Sequence, residues 1–495
     1  MKNSVVSVSK LGSAYVLAAV IWEFFSYYGM QALLTLYMVD HLDFSTYKAY
    51  SIFGAYTTFI YLTPLLGGWI AEKYLGYRKS VLLGAICIVV GHLFLCFGNN
   101  SEFYYGLAWL VLGVGFFKSN AICLVGAFFK ESHAKNHAYA IYYVGGNIGA
   151  TAAPIVCSIV ATYYGWKYGF LCAGLGMLIG IVIMLLGWKQ INAAEQATRT
   201  KELAPMKFMI PILGVGISLL LVLVVFLIKH GIIGLPLLAI GLIALWILID
   251  VFKKAKDKQP IWILFLLIIF ATIFWAFDQQ GGSSVSVFID QNILRKIDFT
   301  LGTFSFIATI PAAAFQAINP AVIILGGPFI GLLWQFLGKR KIEVLPLAKL
   351  GIGMLLITMG FYLITYASSL ALAGHKANMI LVIGALATTG LAEMFFDPVV
   401  LAYISQKTAS HYQSRLSGVY YLCVGAYANY LAMKIAQTTT VISSATKNAE
   451  VFEFWKTYQT LFFFGVVLVS VIFLILIICY VKKRIAVMPH QFEVS

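Results

Sequence analysis

The sequence predicts an all-α polytopic membrane protein of about 14 transmembrane helices, arranged as two six-helix bundles with two additional helices between them. Three observations carry this. Of the 495 residues, 61% are hydrophobic and only 11% charged, with a mean hydropathy of +0.90, which no soluble globular class matches. Apolar runs of about 20 residues recur along the whole length, each able to cross a hydrocarbon core. Lysine and arginine gather in alternate loops, as they do on one face of a polytopic chain.

The first six spans are read at 13–38, 48–71, 79–98, 103–129, 137–161 and 167–188. A polar stretch, 189–206, follows and reads as a helix-breaking linker. The pair 207–228 and 231–251 has almost no internal polar group and is joined by Lys229-His230-Gly231, so it reads as a lipid-facing addition. Six more spans follow at 261–289, 304–337, 346–366, 377–405, 412–438 and 455–482. Segment 304–337 is long enough to tilt, or to kink at Pro311, Pro320 or Pro328. The domains are thus 1–188, the linker 189–206, the helix pair 207–258 and the second bundle 259–495. Leu75-Gly76-Tyr77-Arg78-Lys79 and Leu337-Gly338-Lys339-Arg340-Lys341 echo each other after the second and tenth spans, which suits two related halves with a substrate site between them at mid-membrane.

Lys73, Lys189, Arg199, Lys201, Lys253, Lys254, Lys256, Lys258, Lys407, Arg415 and Lys482-Lys483-Arg484 fall on the same side as those two basic turns. Both termini are therefore expected in the cytoplasm, and the protein in a cell membrane, a bacterial inner membrane by preference. These loops account for the net charge of +15 without nucleic acid. Lys2 and Lys10 precede an apolar run that has no small-residue cleavage site, so the first span is expected to be retained. The seven cysteines lie in apolar segments without metal-ligand spacing and read as small core residues; no metal or other cofactor is expected.

Few ionisable residues lie at membrane depth. They are the acids Glu23, Asp278, Glu393 and Asp397 and the base Lys118. Each such group is disfavoured by roughly 2.5–3.5 kcal/mol on insertion scales, which points to paired supports or a transport route. Asp397-Pro398 also suits a simple helix break. A carboxyl group in low dielectric can load and release protons near neutral pH. A lysine in the same cavity can bind a substrate carboxylate or discharge the acid beside it. Glu393 and Lys118 lie in different halves, so a pair between them would act as a switch as the halves rock. Tyr27, Tyr28, Asn147, Gln316 and Asn319 fit a wet cavity, although an asparagine in a membrane often only bonds neighbouring helices. No nucleophile–base set, metal cluster or phosphate loop appears, so an enzyme is not expected.

Glu23-Phe24-Phe25-Ser26-Tyr27-Tyr28-Gly29-Met30 resembles the first-span signature of the proton-dependent oligopeptide transporter family of the major facilitator superfamily. The stretch from Gly67 to Lys79, with Glu72 and Lys73, resembles the superfamily's loop motif. Phe117-Lys118-Ser119-Asn120, Tyr142 to Pro154 with Asn147, Phe315 to Pro320, and Glu393-Met394 with Pro398 are similar to further family motifs. The resemblance implies the superfamily fold, two extra helices in bacterial members, and a mid-membrane peptide site. Asn147, Asn319 and Glu393 would face the peptide's amino terminus and Lys118 its carboxylate, while Tyr27 and Tyr28 would line the pocket.

Several positions depart from the family pattern. Where the first span usually carries two glutamates and an arginine, this chain has Val20, Glu23 and Phe24. Gln31 stands where an arginine is expected after Gly-Met, Gln279 aligns with the seventh-span carboxylate beside Asp278, and Asp397 replaces a serine. Phenylalanine cannot replace the bidentate grip of arginine on a carboxylate. The expectation is a proton-coupled importer of small peptides or peptide-like solutes, working by alternating access, as a monomer in the lipid bilayer. Glu23, Lys118, Glu393 and Asp278 are its candidate proton-linked groups; Tyr27, Tyr28, Lys118, Asn147, Gln316, Asn319, Glu393 and Asp397 are its candidate substrate contacts. A symporter or uniporter for a non-peptide solute, such as an amine or a siderophore-like chelate, stays open as the alternative at this stage, since an acidic cavity suits a cationic ligand.

Overall fold

The computed structural model describes residues 2–97, 100–129, 132–198, 206–255, 257–301, 304–342, 344–441 and 447–487. The expected basic residues Arg199, Lys201 and Lys256, part of the linker, and the C-terminal end lie outside them. The first half comprises α1 (Lys2–Asp40), α2 (Thr46–Ile70), α3 (Tyr77–Phe97), α4 (Asn100–Ala127), α5 (Ser132–Tyr164) and α6 (Trp166–Leu186). Short α7 (Trp188–Thr198) is followed by the pair α8 (Met206–His230) and α9 (Gly234–Lys254). The second half begins with α10 (Gln259–Asp278), a 3₁₀ turn (Gln279–Gly282) and α11 (Ser284–Asn292). Strands β1 (Ile293–Leu294), β2 (Lys296–Leu301) and β3 (Phe304–Thr309) lead through a second 3₁₀ turn (Ala312–Ala317) into α12 (Ile318–Lys339) and α13 (Pro346–Leu372). The chain continues through β4 (Ala377–Asn378), α14 (Met379–Glu393), α15 (Asp397–Lys407), α16 (Ser410–Leu422), a π turn (Cys423–Tyr427), α17 (Ala428–Thr438) and α18 (Lys447–Val487). Among the described residues, eleven helical spans are long and apolar enough to cross a membrane unaided.

Helix contacts within the first half are close because glycine sits where backbones meet. At Gly149 a side chain would fall on the Ile21 carbonyl, and at Gly146 on the Phe24 ring, so α5 lies directly against α1. The small-residue run Gly145-Gly146-Gly149 therefore serves helix contact. In the second half the stacked rings of Phe274 and Phe396, 4.0 Å apart, fix α10 against the break between α14 and α15.

Three expectations need correction. Segment 304–337 is not one kinked helix: its first residues form β3, which pairs antiparallel with β2 from Lys296–Thr309 to Leu301–Phe304. Lys-Ile-Asp-Phe-Thr-Leu alternates polar and apolar residues, a strand period, and Pro311 lies at the start of the turn that follows. The first part of the stretch read as helix-breaking is α7, whose Ile191 and Glu195 are buried one turn apart. Glu195 accepts from the Tyr77 amide at 2.6 Å and lies 4.0 Å from Arg78, so α7 is clasped to the basic turn after α2. Of the cysteines, Cys87, Cys96 and Cys157 are buried, but Cys123 is exposed.

The pair α8 and α9 leaves Leu235, Leu238, Leu242 and Trp246 exposed, as a lipid-facing addition would. It also touches both halves: α8 packs on α2 and α4, and α9 on α16, where Arg415 approaches Asp250 at 3.7 Å.

Candidate functional site

Helix breaks place three of the predicted acids within the apolar spans Gln259–Asn292 and Met379–Lys407 of the second half. Asp278 is the last residue of α10, before Gly281-Gly282. Glu393 ends α14, and Asp397 opens α15 with Pro398 in its first turn. Proline cannot donate to the preceding turn, so one span becomes two helices here. At a helix C-terminus the unpaired carbonyls carry partial negative charge, which favours a cation there.

A cavity lies between the halves at this level. It is lined from the first half by Tyr27, Tyr28, Gln31, Tyr61 and Asn147, and from the second by Trp275, Asp278, Gln279, Gln316, Asn319 and Glu393, among others. The structure thus brings seven predicted residues together: Tyr27, Tyr28, Asn147, Asp278, Gln316, Asn319 and Glu393. The Asn319 amide donates to Asp278 Oδ1 at 3.0 Å. Across the seam, the Tyr143 hydroxyl donates to Glu393 Oε1 at 3.2 Å. Gln316 Nε2 donates to Ser286 Oγ at 3.1 Å and reaches the Ala32 carbonyl at 3.5 Å.

Three predicted residues stand off the cavity wall. Asp397 lies behind it and accepts at one oxygen from Trp275 Nε1 (2.9 Å) and from the Tyr420 hydroxyl. Its observed contacts hold the lining tryptophan. Replacing Asp397 with alanine leaves both donors without this partner, at about 1–3 kcal/mol each. A lower melting temperature of purified Asp397→Ala is the expected outcome, and an unchanged one would discard this role. Glu23 is fully buried on α1, and neither of its oxygens has a hydrogen-bond partner among the described residues. Lys118 on α4 is the cation whose field reaches it. No ion pair within 4.0 Å joins Lys118 to Glu23 or to Glu393 among the described residues; its ammonium lies 4.1 Å from the centre of the Tyr27 ring and 5.3 Å from that of Phe24. The proposed switch pair is therefore not formed in this conformation, and the position of Phe24 is occupied by a ring that stacks on Tyr28 and receives Lys118.

Sequence reasoning missed Tyr61, Tyr143 and Trp275, which carried no signal beyond being polar aromatics in apolar spans. Gln31 was visible only as an absent arginine, yet it lines the cavity.

The halves are hydrogen-bonded at the end remote from the basic loops. Thr35 donates to the Gly282 carbonyl (2.7 Å), and Gln437 Nε2 donates to Ser51 Oγ (2.7 Å). Tyr143–Glu393 lies deeper, at the cavity itself.

A model of the POT family matches residues 78–452 of the chain. A Bacillus subtilis (strain 168) protein named Uncharacterized transporter YclF is 27% identical over 418 residues, covering 81% of this chain and 82% of its own. Dipeptide and tripeptide permease A of Proteus mirabilis (strain HI4320) is 26% identical over 431 residues, covering 85% of each. Among solved structures, tetrameric PepTSo2 superposes with a TM-score of 0.80 at 24% identity, over 96% of this chain and 99% of its own; that likeness is one of fold.

Proposed function

The chain belongs to the POT family, and from that premise we propose that it carries small peptides or peptide-like solutes across a cell membrane, coupled to protons, by alternating access to the cavity between its halves. The family and fold are those of a membrane transporter. The permeases among its relatives supply the peptide class. The single observation that carries the reading is the cavity: Asp278 and Glu393 converge there with Asn147, Asn319 and Gln316 from both halves. Such a wall offers an amine two carboxylates and a peptide backbone several amide partners.

Glu393 is the proposed amine ligand, since it sits on the seam and its bond to Tyr143 reports whether the halves are together. Glu23 and Lys118 form the proposed proton-linked unit, a buried acid in the field of one base. A monomer is the proposed working unit, with residues of both halves of one chain lining the cavity. The basic loops support cytoplasmic termini, and the bacterial relatives support a bacterial inner-membrane setting. With the remote end hydrogen-bonded shut, the conformation described suits access from the basic-loop side.

Proteoliposomes containing the protein should acidify internally while they take up a dipeptide such as Ala-Lys down an imposed proton gradient. A pH-sensitive dye inside the vesicles reads this. Uptake without acidification would reject symport and leave a uniporter.

A further inference from the structure

The charge balance of the cavity wall bears on which peptides enter. Asp278 and Glu393 line it, and among the described residues no lysine or arginine does. Lys118 stands off the wall over the rings of Tyr27 and Phe24, so a carboxylate in the cavity would meet it only past those rings. The carbonyl ends of α10 and α14, where Asp278 and Glu393 lie, add partial negative charge to the same wall. An independent observation points the same way. Gln31 is only 7% exposed and lines the cavity, and its side-chain carbonyl oxygen has no hydrogen-bond partner among the described residues. A buried acceptor without a donor is disfavoured, so a ligand that brings an N–H group there is favoured.

We propose that this cavity selects peptides of net positive charge, those with a lysine or arginine side chain or with the terminal carboxylate capped as an amide. The inference rests on the peptide reading above. In it, Glu393 takes the amino terminus, while Asp278 and the Gln31 carbonyl receive the second N–H-bearing group. Two sites that each expect a donor discriminate against a ligand that brings a carboxylate to one of them, because the mismatch buries two acceptors face to face.

The test uses the full-length protein in liposomes at zero imposed potential, so that ligand charge does not alter the driving force. Counterflow of Ala-Lys, amidated Ala-Ala, free Ala-Ala and Ala-Glu is compared by half-saturation constant. The expected order places Ala-Lys and the amide about tenfold below Ala-Ala, and Ala-Glu highest, the size of one hydrogen bond to a charged group. Gln31→Arg should favour Ala-Ala and Ala-Glu over amidated Ala-Ala, and Asp278→Asn should bring the ratio of Ala-Lys to Ala-Ala close to one. The two changes act on different helices, so a folding defect in one leaves the other as a test. Ala-Glu handled as well as Ala-Lys by the unaltered protein would overturn the charge selection and leave peptide transport standing. No counterflow of any of the four would overturn the peptide reading and this inference together.

Discussion

Glu393→Gln should lose gradient-driven peptide uptake in proteoliposomes, with apparent affinity falling roughly 10- to 150-fold. That range is the 1.5–3 kcal/mol of a hydrogen bond to a charged group, converted at 1.4 kcal/mol per decade. The change keeps the shape of the side chain and its capacity to accept from Tyr143, so the seam bond at 3.2 Å need not be lost. What it removes is the negative charge at the end of α14, the feature assigned to the ligand's amine. Tyr143→Phe separates the two roles: it removes the seam bond while leaving the charge. Full uptake by Glu393→Gln would take this residue out of the mechanism.

The second large effect is expected at Lys118. Lys118→Ala should abolish uptake driven by a proton gradient, because it removes the cation assigned, among the described residues, to fully buried Glu23. Without Lys118 the proposed proton-linked unit loses its basic member. Counterflow, which needs no net proton movement, should survive in part. Removing one member of a buried charge pair typically destabilises by about 3–5 kcal/mol; since no direct contact exists here, a melting temperature close to that of the parent is the expected control. Combining Lys118→Ala with Glu23→Gln should then be no worse than the single change. Full gradient-driven uptake by Lys118→Ala would refute the assignment.

The fold was legible because the bilayer imposes a strong rule: an apolar run of about 20 residues with few charges has little choice but to span. The same rule hid the rest. Within so apolar a chain, the alternation that makes β2 is short, and β3 was absorbed into the run 304–337. Prolines signalled breaks but not their kind; Pro398 opens a new helix, while Pro328 lies inside α12. For the site, intramembrane acids, amides and tyrosines were visible because polarity is rare at that depth, and seven of them meet in one cavity. Which of them face it was not visible. Asp397 turns behind the wall to Trp275 and Tyr420, and Lys118 turns onto aromatic rings, because side-chain direction depends on helix rotation that composition does not encode. Gln31 was read for what it lacks; its buried carbonyl oxygen only gains meaning from the space beside it.

Among the described residues, side-chain hydrogen bonds that cross from one half to the other include four: Thr35 to Gly282, Gln437 to Ser51, Gln316 to Ala32, and Tyr143 to Glu393. At about 0.5–1.5 kcal/mol net apiece, together they hold the halves by about 2–6 kcal/mol. One elementary charge moved through a membrane voltage of 100 mV does about 2.3 kcal/mol of electrical work. The two quantities are of one size. A positive charge that crosses with the ligand would bring electrical work comparable to these hydrogen bonds. Under the proposed charge selection, membrane voltage would then weigh on the uptake of a cationic peptide as well as its fit.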